Sequence, residues 1–252
     1  MPDIHAVMVF CCRDEERPSA NLFEHWLDHY QSIGVTRIHG IGWGSAGSIM
    51  MRVASCRSFS SLQHVPGDKF CVLESTRIRQ QALAKLPPDA WVMTPDEDEF
   101  LACANVQEVA NISDAAGWSY VPGYLLDCFD PDGKLRSVSL QPLELQFPLR
   151  CRFTRDVVKG GDSKVVLWRN NIEVGCGHHS VSTTDAKPYI LEFPVLHYKW
   201  TEGARDRVLK LQKTAKEKEY QWDHSEYQRT LDAMTESGLS VKLSEIRKAA
   251  AV

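Results

Sequence analysis

The stretch HAVMVFCCRDEERPSANLFEHWLDHYQSIGVTRIHGI (residues 5–41) decides the fold. Its first eight residues are a short apolar run rich in β-branched side chains, which predicts a buried strand. Leu22, Phe23, Trp26, Leu27, Tyr30 and Ile33 then recur at helical spacing, and Gly34 stands where a glycine stops a helix. VTRIHGI (residues 35–41) reads as a second strand. Strand, helix and strand within so short a span predict a parallel βαβ unit with both faces of its sheet covered.

Further along, ESTRIRQQALAKL (residues 74–86) predicts a helix ended by Pro87 and Pro88. AWVMT (residues 90–94) predicts another strand, and it runs into the acidic tetrad Asp96, Glu97, Asp98 and Glu99 before Phe100 and Leu101 return to the core. A parallel strand preceded by a helix ends at the edge where open α/β sheets bind ligands. The tetrad is therefore expected at the rim of the sheet. If the chain stays extended there, Asp96 and Asp98 share a face and can approach one cation. Oxygen-only ligation suits Mg²⁺ or Mn²⁺, completed by substrate phosphates. A solvated acidic turn is the plain alternative.

The second half contains the strand-like runs WSYVPGYLLDCF (118–129), KVVLWRN (164–170) and YILEFPVLHYKW (189–200), with Pro- and Gly-bearing loops between them. From Thr201 the chain turns helical and lysine-rich. The expected organisation is one mixed α/β domain over residues 1–200, with a helical extension over 201–252 packed on it.

Composition narrows the function. The 252 residues are 43% apolar and 25% charged, with a formal net charge of −4. These are ordinary values for a globular chain, and no basic field points to nucleic acid. The eight cysteines include no C-x-x-C pair, which excludes a zinc ribbon. Their apolar surroundings suggest reduced thiols in a cytoplasmic protein. No run approaches the length of a membrane span.

The segments recur in a recognisable order. WVMTPDEDEFL resembles the W-x-x-x-x-D-x-DEF-L segment of family 2-like glycosyltransferases, in the clade that also resembles family 92 enzymes. RDEERPSANLFEHWLDHYQSIGV, GYLLDCFDPDGKL, LQFPLR, SKVVLW, GCGHHSV and VLHYKW are similar to further stations of that clade, over roughly residues 5 to 215. The resemblance implies a GT-A fold, with a Rossmann-like, mixed, mostly parallel sheet, flanking helices and an Asp-x-Asp metal site. It implies a nucleotide-sugar donor, a glycan or other hydroxyl acceptor, and inverting transfer in the clade's manner.

Carried over by position, Asp96 and Asp98 match the metal and diphosphate pair. Arg13 and Glu15 match residues beside the nucleotide, as do Lys164 and His179, and His197 matches a late histidine that reaches the metal. Asp127 is the candidate base for the acceptor hydroxyl. Asp130 and Asp132 lie in DPDG, a strong turn sequence. Arg150, Arg152, Arg155 and Lys159 form a basic cluster, read either as a solvated face or as a pyrophosphate contact. Where relatives carry a D-x-x-S-x-D segment, GIGWGSAGS (residues 40–48) has no acid. That departure motivates a nucleotide-sugar-binding pseudoenzyme as an alternative. A metal-dependent phosphohydrolase is the other.

Overall fold

A computed structural model describes residues 2–11, 20–67, 72–217 and 223–250. Its elements run β1 (Ile4–Cys11), α1 (Ala20–Ser32), β2 (Arg37–Trp43), α2 (Ile49–Ser55), β3 (Ser61–Val65), α3 (Val72–Leu83), β4 (Trp91–Met93), β5 (Glu99–Leu101), α4 (Val106–Ala116) and β6 (Tyr120–Phe129). There follow α5 (Leu143–Gln146), β7 (Leu149–Cys151), a π-helical turn (Thr154–Val158), β8 (Ser163–Arg169), β9 (Phe193–His197), α6 (Ala204–Glu217), α7 (Asp223–Asp232) and α8 (Leu243–Ala250). The chain divides into two compact units, Met1–Tyr124 with Ser163–Val195, and Leu125–Asp162 with Leu196–Val252.

The first unit is a mixed α/β sheet in the order β3-β2-β1-β4-β8-β6-β9-β5. Its first four strands are parallel: Val9 lies opposite Ile41 of β2, Ile4 opposite Trp91 of β4, and Gly42 of β2 opposite His64 of β3. β8 then runs antiparallel to both β4 and β6. A register shift between Val121 and Pro122 accommodates a residue with no N–H to give the ladder.

All eight residues of β1 are buried, because neighbouring strands flank it and helices cover its faces. On one face Phe10 meets Phe23 of α1, with ring centroids 5.0 Å apart. On the other, Val7 and Val9 pack with Ile41, Trp43 and Ile78 of α3. α1 buries Leu22, Phe23, Trp26, Leu27 and Tyr30, the stripe its spacing predicts. It ends in a Schellman motif. Gly34 has φ 94°, its N–H donates to Gln31 O, and the Val35 N–H donates to Tyr30 O.

In the second unit, β7 pairs antiparallel with the end of β6, setting Asp127 opposite Cys151 and Phe129 opposite Leu149. Phe129 stacks on Trp200, and Phe153 meets both edge-on, at centroid distances of 5.0 to 5.5 Å. Met234, Val241 and Ile246 join this aromatic core. The helical character expected after Thr201 is present in α6, α7 and α8.

No helix among the described residues is long and apolar enough to cross a membrane. The six described cysteines are free, with Cys11, Cys128 and Cys151 buried but Cys56 and Cys176 exposed. The expectation that the thiols are core residues therefore holds for only part of the set.

Candidate functional site

The strand order 3-2-1-4 places a reversal between β1 and β4. The connection after β1 leads to β2 on one side, while β4 lies on the other. Crevices outside the carboxyl ends of strands form at such a point. The Asp96–Glu99 segment follows β4 there. Arg13 and Glu15, the two candidates on the connection after β1, lie outside the described residues.

The acidic segment turns tightly. Glu99 N–H donates to Asp96 O at 3.0 Å, leaving Glu97 and Asp98 at the turn's centre. The two-residue alternation of an extended chain therefore does not apply to Asp96 and Asp98. The turn is braced from within, since Trp26 Nε1 donates to Asp96 O at 3.1 Å and Cys11 N to Glu97 Oε2 at 3.3 Å. Tyr30 in α1 clamps the return strand: its hydroxyl donates to Glu99 O at 3.0 Å and accepts from Leu101 N at 3.2 Å.

The four carboxylates are not alike. Glu99 is buried in β5, and its Oε1 lies 2.6 Å from Lys164 Nζ. Both side chains are almost wholly shielded from water, so this is a buried ion pair. Lys164 Nζ also donates to Gly177 O at 3.1 Å. Asp96 is partly exposed and pairs with Arg79 of α3, whose side chain is buried. Burial alone would raise the Asp96 carboxyl, but Arg79, Lys164 and His178 together hold it well below the usual carboxylate range. Burial likewise works against the Lys164 charge, and Glu99 and Asp96 more than offset it, leaving its pKa raised. The chain thus supplies its own counter-charge beneath the acidic turn.

His178 and His179 flank this cluster differently. His178 is buried, stacks on Trp168 at 5.7 Å, and its Nε2 lies 2.6 Å from Thr94 Oγ1. Burial first, then Arg79 and Lys164, push its pKa well below the ordinary histidine value. It also holds a φ of 60°, directly after Gly177 at 68°, so the backbone reverses here. His179 is exposed and its Nδ1 meets Ser163 O at 2.5 Å, next to Lys164. The fold thus gathers Asp96, Lys164 and His179 from the predicted set. It adds Arg79, Glu99 and His178, which sequence reasoning did not assign. Arg79 lies 17 residues before its partner, and no motif links the two.

A cavity of about 250 Å³ opens along α3, walled in part by Arg79, Leu83, Trp168 and His178. A smaller one of about 20 Å³ lies among Thr94, Glu99, Lys164 and His178. That is space for a single water among polar partners.

The remaining candidates are in the second unit. Asp127 has no solvent exposure. Its Oδ2 accepts from Thr154 N at 2.6 Å, and its Oδ1 accepts from Thr154 Oγ1, His197 Nδ1 and Trp200 Nε1, each at 3.0 Å. Burial would raise this carboxyl, yet the bond and charge of His197 with the other donors lower it. This is the geometry of an internal acceptor that locks a strand, a π-helical turn and two aromatic side chains together. His197 is its partner.

Asp130 is also fully buried. Its Oδ1 accepts from Asp132 N at 2.8 Å, so it shapes the DPDG turn as its sequence suggests. In the basic cluster, Arg155 pairs with Asp156 at 2.7 Å and Arg152 with Asp162. Two of the four cations are thus paired with nearby acids, which supports the reading of a solvated face.

Asp96 and Asp98 are two carboxylates at the carboxyl edge of the parallel strands, where α/β sheets commonly bind ligands. That fits a hard divalent ion which takes one or two protein carboxylates and completes its shell with water and phosphate oxygens. Among the described residues, no group of three or more His, Cys, Asp or Glu side chains is placed to hold a metal by itself.

No protein-family model matches the sequence, and no curated protein is significantly similar to it. Solved structures align with it only distantly. S. aureus TarS 1-349 is 10% identical over 85% of this chain and 65% of that one, with a TM-score of 0.42. The 4-diphosphocytidyl-2C-methyl-D-erythritol synthase from Anaerococcus prevotii is 12% identical over 67% of this chain and 70% of that one, at 0.36. Rv0371c from Mycobacterium tuberculosis, crystallised with manganese, is 14% identical over 49% and 65% of the two chains, at 0.34. At these scores the likenesses place the chain in no family, and its mixed α/β fold stands on its own topology.

Proposed function

We propose that the protein is a glycosyltransferase that moves a sugar from a nucleotide-diphosphate donor to an acceptor hydroxyl, with the donor's diphosphate at the acidic turn after β4. One observation carries this reading. The acidic turn follows β4 at the strand-order reversal, with Asp96 paired to the buried Arg79 and Glu99 to the buried Lys164. A solvated acidic turn needs no buried cations beneath it. A phosphate site needs positive charge close to carboxylates that hold a metal.

Asp96 and Asp98 would hold Mg²⁺ or Mn²⁺, which supplies Lewis-acid stabilisation of the departing diphosphate. The chain's own residues do the rest. Arg79 and Lys164 offset two of the four carboxylate charges before ligand arrives. A guanidinium is also suited to share a phosphate oxygen with its carboxylate partner. Tyr30 and Trp26 fix the turn's backbone, so the carboxylates are positioned before binding. His179 stands beside Lys164 as a further donor to the nucleotide, and Arg13 and Glu15 complete the proposed contact set. The cavity along α3 exceeds the roughly 150 Å³ that accepts one benzene-sized ring. A carboxylate that takes a proton from an acceptor must reach it. Asp127 is enclosed by four donors, so its role in this proposal is to orient His197.

The test is thermal denaturation with Mn²⁺, with uridine or guanosine diphosphate, and with both. A ligand pair at a hundredfold excess over its dissociation constant stabilises by about 2.7 kcal/mol. The expected result is a rise with both that exceeds the sum of the separate rises and disappears in Asp96→Ala. Turnover with a panel of nucleotide sugars then separates transfer from binding without chemistry. Additive rises in the wild type would return the segment to an ordinary acidic turn.

A further inference from the structure

A second constellation lies at the opposite, amino-terminal edge of the parallel strands, and the transferase reading makes no use of it. Ser61 opens β3, and its Oγ is 2.8 Å from Nδ1 of His39, which sits opposite it on β2. His39 Nε2 is 3.0 Å from His5 Nδ1 on β1, with the two rings parallel to within 4°. His5 Nε2 lies 3.4 Å from Asp3 Oδ2, and Asp3 is itself held by Arg37 Nε at 2.8 Å and Thr36 Oγ1 at 2.6 Å.

Proton accounting orients this chain. A neutral imidazole carries one N–H and one acceptor nitrogen. Asp3 offers only acceptor oxygens, which favours the proton on His5 Nε2 and leaves His5 Nδ1 as an acceptor. His39 must then donate from Nε2, so its Nδ1 accepts, and the Ser61 hydroxyl donates to it. Burial keeps both imidazoles below the ordinary histidine value, and the two rings are therefore neutral bases near neutral pH. A hydroxyl, a base and an acid-backed orienting group in series are the parts of an activated serine.

The strand edge adds a donor. β3 is the outermost strand, and Ser60 N–H turns inward to Ile38 O at 2.8 Å. Alternation along a strand turns the Ser61 N–H outward, to the open edge of the sheet. A backbone N–H at that place is suited to a developing oxyanion.

We propose that Ser61 is an acyl-accepting nucleophile, with His39 as its general base and His5 and Asp3 as positioning residues, and that its substrates are activated acyl esters. Ser61 Oγ attacks the ester carbonyl carbon as its proton passes to His39 Nδ1, and the carbonyl π pair moves to oxygen. When the carbonyl re-forms, the alkoxide or phenoxide leaves and takes the proton from His39. One C–O bond forms and one breaks, and no co-reactant is needed.

The experiment treats the full chain with p-nitrophenyl acetate, follows nitrophenolate release and locates the acetyl group by peptide mass spectrometry. One acetyl group on Ser61 is expected, absent in Ser61→Ala. His39→Gln should slow its appearance about a hundredfold, the scale of a positioned general base. Because His39→Gln removes a half-buried partner, Asp3→Asn provides a variant at an exposed position, expected to slow the reaction about tenfold. Acetylation confined to lysines, or Ser61 labelling equally fast in wild type and both folded variants, overturns the proposal and leaves a side-chain ladder at a sheet edge. Neither result bears on the acidic turn, so the two readings fail separately.

Discussion

Each unit buries a carboxylate beside a cationic or imidazole partner, but the two clusters are built to different ends. In the second unit Asp127 is closed in by four donors on two oxygens, with no path to water. In the first, Glu99 and Lys164 form a buried pair, while Asp96 and Asp98, three and one residues earlier, remain partly open at the sheet's rim. A saturated carboxylate contributes to stability. A buried pair with open carboxylates next to it provides a charged floor for a ligand. The sharpest way to test that contrast is to remove one member of each cluster.

Asp127→Ala should have the largest effect. It leaves four donors without an acceptor in a closed interior, and breaking such a buried cluster costs about 4 kcal/mol. Chemical denaturation measures this directly, and a loss below about 1 kcal/mol would contradict the structural role. The acid side of the same cluster has a defined sign. The folded-state pKa of Asp127 is depressed, so its contribution is complete above the ordinary value of 3.8 and is lost as pH falls through the depressed value.

Lys164→Met should come next, at about 3 kcal/mol, because it strands the Glu99 charge. The double change Lys164→Met with Glu99→Leu should recover most of that loss, since an apolar pair of similar volume replaces a buried ion pair with little penalty. No recovery in the double variant would mean that Lys164 acts through other partners.

A smaller effect is expected from pH. Burial depresses the His178 pKa, so the unfolded chain binds more protons below 6.5. Stability should therefore fall as pH drops below that value, by up to about 1.4 kcal/mol per unit per histidine. His178→Asn tolerates the positive φ at this position and should make the slope shallower. An unchanged slope of melting temperature against pH would assign the effect to other buried histidines.

Asp98→Asn should have the smallest effect on stability, within about 0.5 kcal/mol, because the residue is at the centre of a turn. It should nevertheless abolish the joint response to Mn²⁺ and nucleoside diphosphate. A variant that keeps the joint response excludes Asp98 as a ligand.

The contrast also explains what could be read from the sequence. β1, α1 and β2 are legible because a fully covered strand and an amphipathic helix each impose a strong period. α4 shows the same contrast, burying Val106, Val109, Ala110 and Ser113 at helical spacing, and Asn105 at its start and Gly117 at its end are both cap signals, so it too is legible. β3 is an edge strand with little buried surface, so the solvent side imposes no pattern. The acidic turn announces itself by charge density. Its partners do not, because Arg79 looks like any basic residue on a helix until the fold brings it to Asp96. Asp127 misleads in the other direction, since an acid after an apolar strand reads alike whether the chain later opens or closes around it.

Three indole N–H groups sit against these acidic elements: Trp26 on Asp96 O, Trp91 on Asp114 Oδ1 and Trp200 on Asp127 Oδ1. The molecule therefore carries a reporter at each. Uniform 5-fluorotryptophan labelling would give one ¹⁹F resonance for each of the seven tryptophans, and single Trp→Phe changes would assign them. Metal and nucleotide acting at the acidic turn should move the Trp26 line, while acidification through the Asp127 cluster should move the Trp200 line. One spectrum would then follow ligand capture and internal protonation separately, without a substrate having to be identified first.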